Sequence, residues 1–119
     1  MSRPSILIVD DDAETAGLIA ELLVLSGCVA RTASDGVEAL AVAKEMIPDI
    51  VLLDLCLPRI DGYETARRLR RDQRFKRTRL VAFSGSDPGP WTHLFDTHVT
   101  KPCTFDEVEE ALGLDAFPR

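Results

Sequence analysis

Apolar and polar positions follow two rhythms along the chain. Ile6-Leu7-Ile8-Val9, Ile50-Val51-Leu52-Leu53 and Leu80-Val81-Ala82-Phe83 are short unbroken apolar runs, each stopping at a polar residue. Runs of this length without alternation fit strands covered on both faces, as in a parallel sheet. Val29 to Thr32 is a weaker strand candidate, and His98-Val99-Thr100 is weaker still.

Between these runs the apolar spacing lengthens to three and four residues. Ile19, Leu22 and Leu23 predict a helix closed by Gly27. Val37, Leu40 and Ala41 repeat the pattern after the Asp35-Gly36 turn and stop before Pro48. Residues 62–72 predict a third helix with Tyr63, Ala66 and Leu69 on its inner face. Thr104-x-x-Glu107 is a capping box that opens a last short helix. Strands alternating with helices imply right-handed crossovers and a doubly wound α/β fold. One stretch breaks the rhythm: sixteen residues separate Ser84 from Lys101, and they include Pro88, Gly89 and Pro90. A loop and a strand leave about six of them for a helix, under two turns. The expected fold is therefore flavodoxin-like, a doubly wound five-stranded parallel sheet of order 2-1-3-4-5 with a shortened fourth helix.

Composition narrows the class. The 119 residues suit a single domain spanning 1–119, with 45% apolar and 29% charged residues, as in ordinary globular proteins. No apolar run approaches the ~18 residues of a membrane span, and Ile6 to Val9 is too short for a secretory signal. A cytoplasmic chain with no membrane partner is the expectation. Cys28, Cys56 and Cys103 lack metal-ligand spacing and read as reduced thiols.

Charge is unevenly spread. Twenty acidic residues face fourteen basic ones, for a net −6, which argues against direct nucleic-acid binding. Yet Arg67, Arg68, Arg70, Arg71, Arg74, Lys76, Arg77 and Arg79 are opposed only by Asp72, a local +7. The plain reading is a solvated helix face; the rival is a docking patch for an acidic partner.

The polar residues that stop the runs carry the chemistry. They are Asp10-Asp11-Asp12 after the first strand, Asp54 after the third, Ser84 after the fourth and Lys101 after the fifth. In open parallel sheets, sites form outside the carboxyl ends of the strands. Carboxylates gathered there repel unless a cation joins them, and Mg²⁺ suits few protein ligands and several waters. With a lysine charge and a serine hydroxyl beside it, such a site fits a tetrahedral dianion and phosphoryl transfer onto an aspartate.

Ile6-Leu7-Ile8-Val9-Asp10-Asp11-Asp12, Asp54-Leu55-Cys56-Leu57-Pro58-Arg59-Ile60-Asp61-Gly62, Phe83-Ser84-Gly85 and Thr100-Lys101-Pro102 together resemble the receiver domain of two-component response regulators, from about residue 5 to residue 112. The resemblance implies that Asp54 is the phosphoacceptor, taking a phosphoryl group from a histidine kinase or histidine phosphotransfer protein. It implies Mg²⁺ on Asp11, Asp54 and the backbone carbonyl of Cys56, with Asp10 acting through a metal-bound water. Lys101 would pair with a phosphoryl oxygen and precede a cis proline. Ser84 would be the switch hydroxyl, and His98 would hold the switch ring position. Such a domain is a signalling module rather than an enzyme, although it assists its own phosphorylation and dephosphorylation. Two departures bear on output: the short 85–96 segment and the brief last helix.

Plainer readings stand beside these. Asp12 reads as a helix N-cap, Asp61-Gly62 as a turn and helix start, and His98 alternatively as a partly buried packing residue. Asp10-x-Asp12 with Ser84 and Lys101 also loosely matches a Mg²⁺-dependent haloacid-dehalogenase-like phosphohydrolase, although the chain has no room for a cap. A receiver-like scaffold that is never phosphorylated is the third reading, supported only by the shortened helix. A stand-alone regulator and a domain of a longer chain both remain open, with Met1 favouring a chain that begins here.

Overall fold

A computed structural model of the protein describes residues 3–57, 61–85 and 93–114. Five parallel strands, β1 (Ser5–Val9), β2 (Val29–Ala33), β3 (Ile50–Asp54), β4 (Arg79–Ser84) and β5 (Thr97–Thr100), form one sheet in the order β2-β1-β3-β4-β5. The helices are α1 (Ala13–Leu25), α2 (Gly36–Met46), α3 (Gly62–Arg71) and α4 (Phe105–Leu112), with a 3-10 turn at Gln73–Phe75. Strand order and parallel sense match the flavodoxin-like expectation.

The unbroken apolar runs have a direct cause. Alternate residues of one strand enter different cores. Leu7, Val9, Val51, Leu53, Leu80 and Ala82 pack with residues of α2 and α3, while Ile6, Ile8, Ile50, Leu52, Val81 and Phe83 pack with residues of α1 and α4. All twelve are buried, because helices cover both faces of the sheet.

Local chemistry sets the helix ends. Asp12 caps α1, its carboxylate accepting from Glu14 N (3.1 Å), Thr15 N (3.3 Å) and Thr15 Oγ1 (2.9 Å). Beyond its other end Gly27 adopts φ +94°, a left-handed conformation that glycine reaches without a Cβ clash. Thr104 and Glu107 form the expected capping box on α4. The inner face of α2 differs from the sequence reading. Ala39, Val42 and Ala43 are buried, whereas Val37 is 44% exposed and Ala41 is also exposed. Ala39, Val42 and Ala43 keep the i, i+3, i+4 spacing two positions on from the face expected, and Leu40 is partly buried beside them.

The connection between β4 and β5 holds two findings. The shortened helix expected within 85–96 falls largely on residues 86–92, outside the described residues; no α-helix lies in the described remainder. Leu94 and Phe95 are buried in the core on the α2–α3 side. Arg70, expected on a solvated face, instead turns inward to hold this segment. It donates to Leu94 O (3.1 Å), Thr78 O (2.9 Å) and Asp96 Oδ2 (2.8 Å). The same Asp96 oxygen accepts from Leu80 N (2.8 Å), so one ion pair joins α3 to the starts of β4 and β5. No helix among the described residues is long and apolar enough to cross a membrane.

Candidate functional site

Parallel pairing puts the strand ends side by side. Val9 pairs with Leu53, Asp54 with Phe83, and Ser84 with Thr100, so the residues that follow β1 and β5 join Asp54 and Ser84 at one rim. Carboxylate oxygens of Asp10, Asp11 and Asp54 lie within 4.8 Å of one another. Asp10 and Asp54 are buried, at 1% and 5% exposure, while Asp11 faces solvent.

Each buried carboxylate has a backbone partner that fixes it. Asp12 N donates to Asp10 Oδ1 (2.9 Å), and Cys56 N donates to Asp54 Oδ1 (3.0 Å). Their other oxygens share one cation: Lys101 Nζ lies 3.1 Å from Asp10 Oδ2 and 3.4 Å from Asp54 Oδ2. Beneath the ammonium is the Phe83 ring, 4.4 Å away at its centroid, a cation–π contact that further localises the charge. Lys101 enters this position from β5, where its N–H donates to Ser84 O (2.7 Å) and the Lys101-Pro102 bond is cis.

The electrostatics follow from burial. Desolvation pushes the Asp54 carboxyl above its ordinary value, and the nearby Asp10 charge adds to this; the Cys56 N–H and the Lys101 charge pull the other way without cancelling it. Burial draws the Lys101 ammonium down, but its hydrogen bond to Asp10 and the charges of Asp10 and Asp54 more than offset that, raising it overall. Asp12 is lowered, chiefly by the Thr15 hydroxyl, as befits its capping role. One lysine therefore serves two buried carboxylates with a third beside them. Clustered hard oxygen donors with too little positive charge are a donor set that fits a hard divalent cation.

Ser84 is buried at the end of β4, on the same rim. Cys56 is an exposed free thiol whose backbone contributes to the site. His98 stands apart. It is exposed rather than partly buried, and it lines a cavity of about 420 Å³ with Arg79, Thr100, Glu107 and Glu110.

Two contributors escaped the sequence reading. Phe83 looked like ordinary core, and nothing in its own run announces the lysine eighteen positions later. Gly62 read as part of a turn, yet its reason is steric. A Cβ there would run into Asp54 O and lie 2.6 Å from Leu55 Cα. Only glycine lets the start of α3 press on the backbone that carries Asp54.

The sequence and the fold resemble those of known proteins. The family model "Response regulator receiver domain" matches residues 6–113. RpaA of Synechocystis sp., named a DNA-binding dual master transcriptional regulator, is 42% identical over 120 residues, covering 92% of this chain and 46% of RpaA. The chain thus spans about half the length of that relative. The CheY-like receiver domain from Methylobacillus flagellatus superposes with a TM-score of 0.86 at 32% identity, covering 94% of this chain and 98% of that one. TrrA from Thermotoga maritima, solved in complex with Mg²⁺-BeF, superposes with a TM-score of 0.80 at 30% identity, covering 89% and 93%. A match that runs from the first buried strand to the end of α4 takes in every residue of the rim, and the chain belongs to the response regulator receiver domains of two-component signal transduction.

Proposed function

We propose that Asp54 is the phosphoacceptor of this receiver domain and that the donor is the phosphohistidine of a histidine kinase or histidine phosphotransfer protein. The observation that carries this is the pairing of the buried Asp54 with Lys101 beside Asp10 and Asp11. An Asp54 oxygen attacks phosphorus, the phosphorus–nitrogen bond breaks, and the imidazole leaves with its electron pair. The product is an acyl phosphate.

The chain's own residues prepare that step. Cys56 N holds one Asp54 oxygen and so orients the other. Lys101 supplies positive charge to the incoming phosphoryl oxygens, held in place by Asp10 and Phe83. Ser84, at the neighbouring strand end, supplies the hydroxyl that meets the phosphoryl group after transfer. A Mg²⁺ ion held by Asp10, Asp11, Asp54 and the Cys56 carbonyl would neutralise phosphoryl charge when bound. His98 takes the switch ring position, read at the exposed edge of β5.

A protein donor is supported by the surface next to the rim. Leu18, Ile19, Leu22, Phe105 and Val108 line an apolar groove of about 520 Å³ that opens on Asp12 and Lys101. The family assignment does not favour the phosphohydrolase reading, and the acidic chain favours protein over nucleic-acid contacts for this domain.

Intact-mass measurement with Mg²⁺ and acetyl phosphate tests the proposal. A phosphate-sized gain in wild type and in Asp10→Asn at a slower rate, absent in Asp54→Asn, supports it. Continuous phosphate release with an adduct on Asp10, or no adduct at all, would count against it.

A further inference from the structure

The end of the sheet opposite the rim has a surface that phosphoryl transfer does not use. We propose that the basic concavity formed there by the end of α2 and the 3-10 turn docks a short acidic segment of a partner protein, anchored by one apolar side chain. Ile47, Asp49, Arg74, Lys76 and Arg77 line a cavity of about 330 Å³. Arg74 is held by Asp72 at 2.7 Å, and the Asp49 carboxylate is engaged by Ser5 N (2.9 Å) and Ser5 Oγ (3.2 Å). Lys76 and Arg77 are exposed and form no ion pair among the described residues. Lys44 adds a further positive charge close enough to act on Asp72.

A second feature of the cavity is independent of charge. Ile47 ends α2 at φ +43° and ψ 71°, and its N–H still donates to Ala43 O at 2.8 Å. This left-handed position is normally filled by glycine or asparagine, and a β-branched residue there is an outlier. Ile47 is 42% exposed and lines the basic cavity. An exposed apolar residue in a disfavoured conformation, sharing its cavity with the unpaired cations Lys76 and Arg77, complements an acidic segment carrying an apolar residue. The net −6 of the chain repels extended polyanions, so a short segment suits the patch better than nucleic acid.

The location has a consequence. β3 and β4 start beside the cavity and end at Asp54 and Ser84, five or six residues away, roughly 17 Å along a strand. A partner bound here leaves the rim open, so docking and phosphorylation can coexist.

Fluorescence anisotropy with a labelled peptide of glutamates around a central leucine tests this, against the same peptide with glutamines. Wild type binds the glutamate peptide, added salt weakens binding, and Lys76→Glu with Arg77→Glu reduces affinity by about tenfold or more. Ile47→Asn, which suits the left-handed position and preserves the fold, also weakens binding without lowering Tm. Asp54→Asn binds as wild type does, which separates this site from the phosphoacceptor. Equal binding by wild type and both cavity variants, or tighter binding of a DNA duplex, would overturn the proposal. So would salt-sensitive self-association through the acidic α4 of a second copy that the peptide leaves intact.

Discussion

Lys101 Nζ stands 3.4 Å from the Asp54 carboxylate and nearer still, 3.1 Å, to Asp10. Asp54 therefore has half a counter-ion and a buried position, which is why its carboxyl is raised. A carboxyl raised on folding favours the neutral form. Its contribution to stability is present below the ordinary value of 3.8 and is lost as pH rises through the raised folded value. Asp54→Asn removes the charged form and leaves the Lys101–Asp10 pair in place. The variant should be more stable than wild type at neutral pH without divalent cations, and its stability should vary less between acid and neutral pH. Urea midpoints across that range in a chelator give the answer; a lower neutral midpoint for the variant would contradict it.

A divalent cation should relieve the same repulsion. Mg²⁺ at a hundredfold excess over its Kd should stabilise wild type by about 2.7 kcal/mol, because it binds the folded state alone. Asp11→Asn and Asp54→Asn should lose most of that gain, and Ca²⁺-free thermal melts with and without Mg²⁺ measure it.

Gly62 tests the link between helix packing and chemistry. Gly62→Ala places a Cβ against Asp54 O and Leu55 Cα, and overpacking of this kind costs about 1–3 kcal/mol. The backbone that gives way is the one carrying Asp54, so the rate of labelling by acetyl phosphate should fall along with the urea midpoint.

Arg70 separates stability from chemistry. Arg70→Met leaves Leu94 O, Thr78 O and Asp96 without their shared donor, at a cost of about 2 kcal/mol or more. Arg70 makes no contact with the rim, so Asp54 labelling of the folded variant should persist. Denaturant titration alongside intact-mass labelling distinguishes the two effects.

How much of this was legible in the sequence depends on where each signal resides. β1, β3 and β4 announced themselves because two-sided burial demands unbroken apolar runs; Asp10, Asp11, Asp54 and Ser84 stood out because they follow or end such runs, and Lys101 because it follows the fainter β5. β2 was fainter, with most of its residues at least partly exposed, as an edge strand permits. The caps at Asp12 and Thr104 are local, within three residues, and read true. Contacts between distant segments were not legible. Arg70 sits in a row of arginines, and only the return of Leu94 and Asp96 in space turns it inward. Phe83 becomes a support for Lys101 only once β5 lies beside β4. In α2 the apolar pattern pointed to Val37, because Val37, Leu40 and Ala41 and the buried Ala39, Val42 and Ala43 share one spacing and only the packed sheet chooses between the two faces.

The central claim is that the phosphoryl group resides on Asp54. Borohydride reduces an aspartyl phosphate to homoserine, so reducing the freshly phosphorylated protein and sequencing its peptides by mass spectrometry locates the acyl phosphate. Homoserine at position 54, and none when Mg²⁺ is withheld, is the predicted result. Homoserine at position 10 or 11 instead, or at no aspartate while the protein still carries phosphate, would contradict the account.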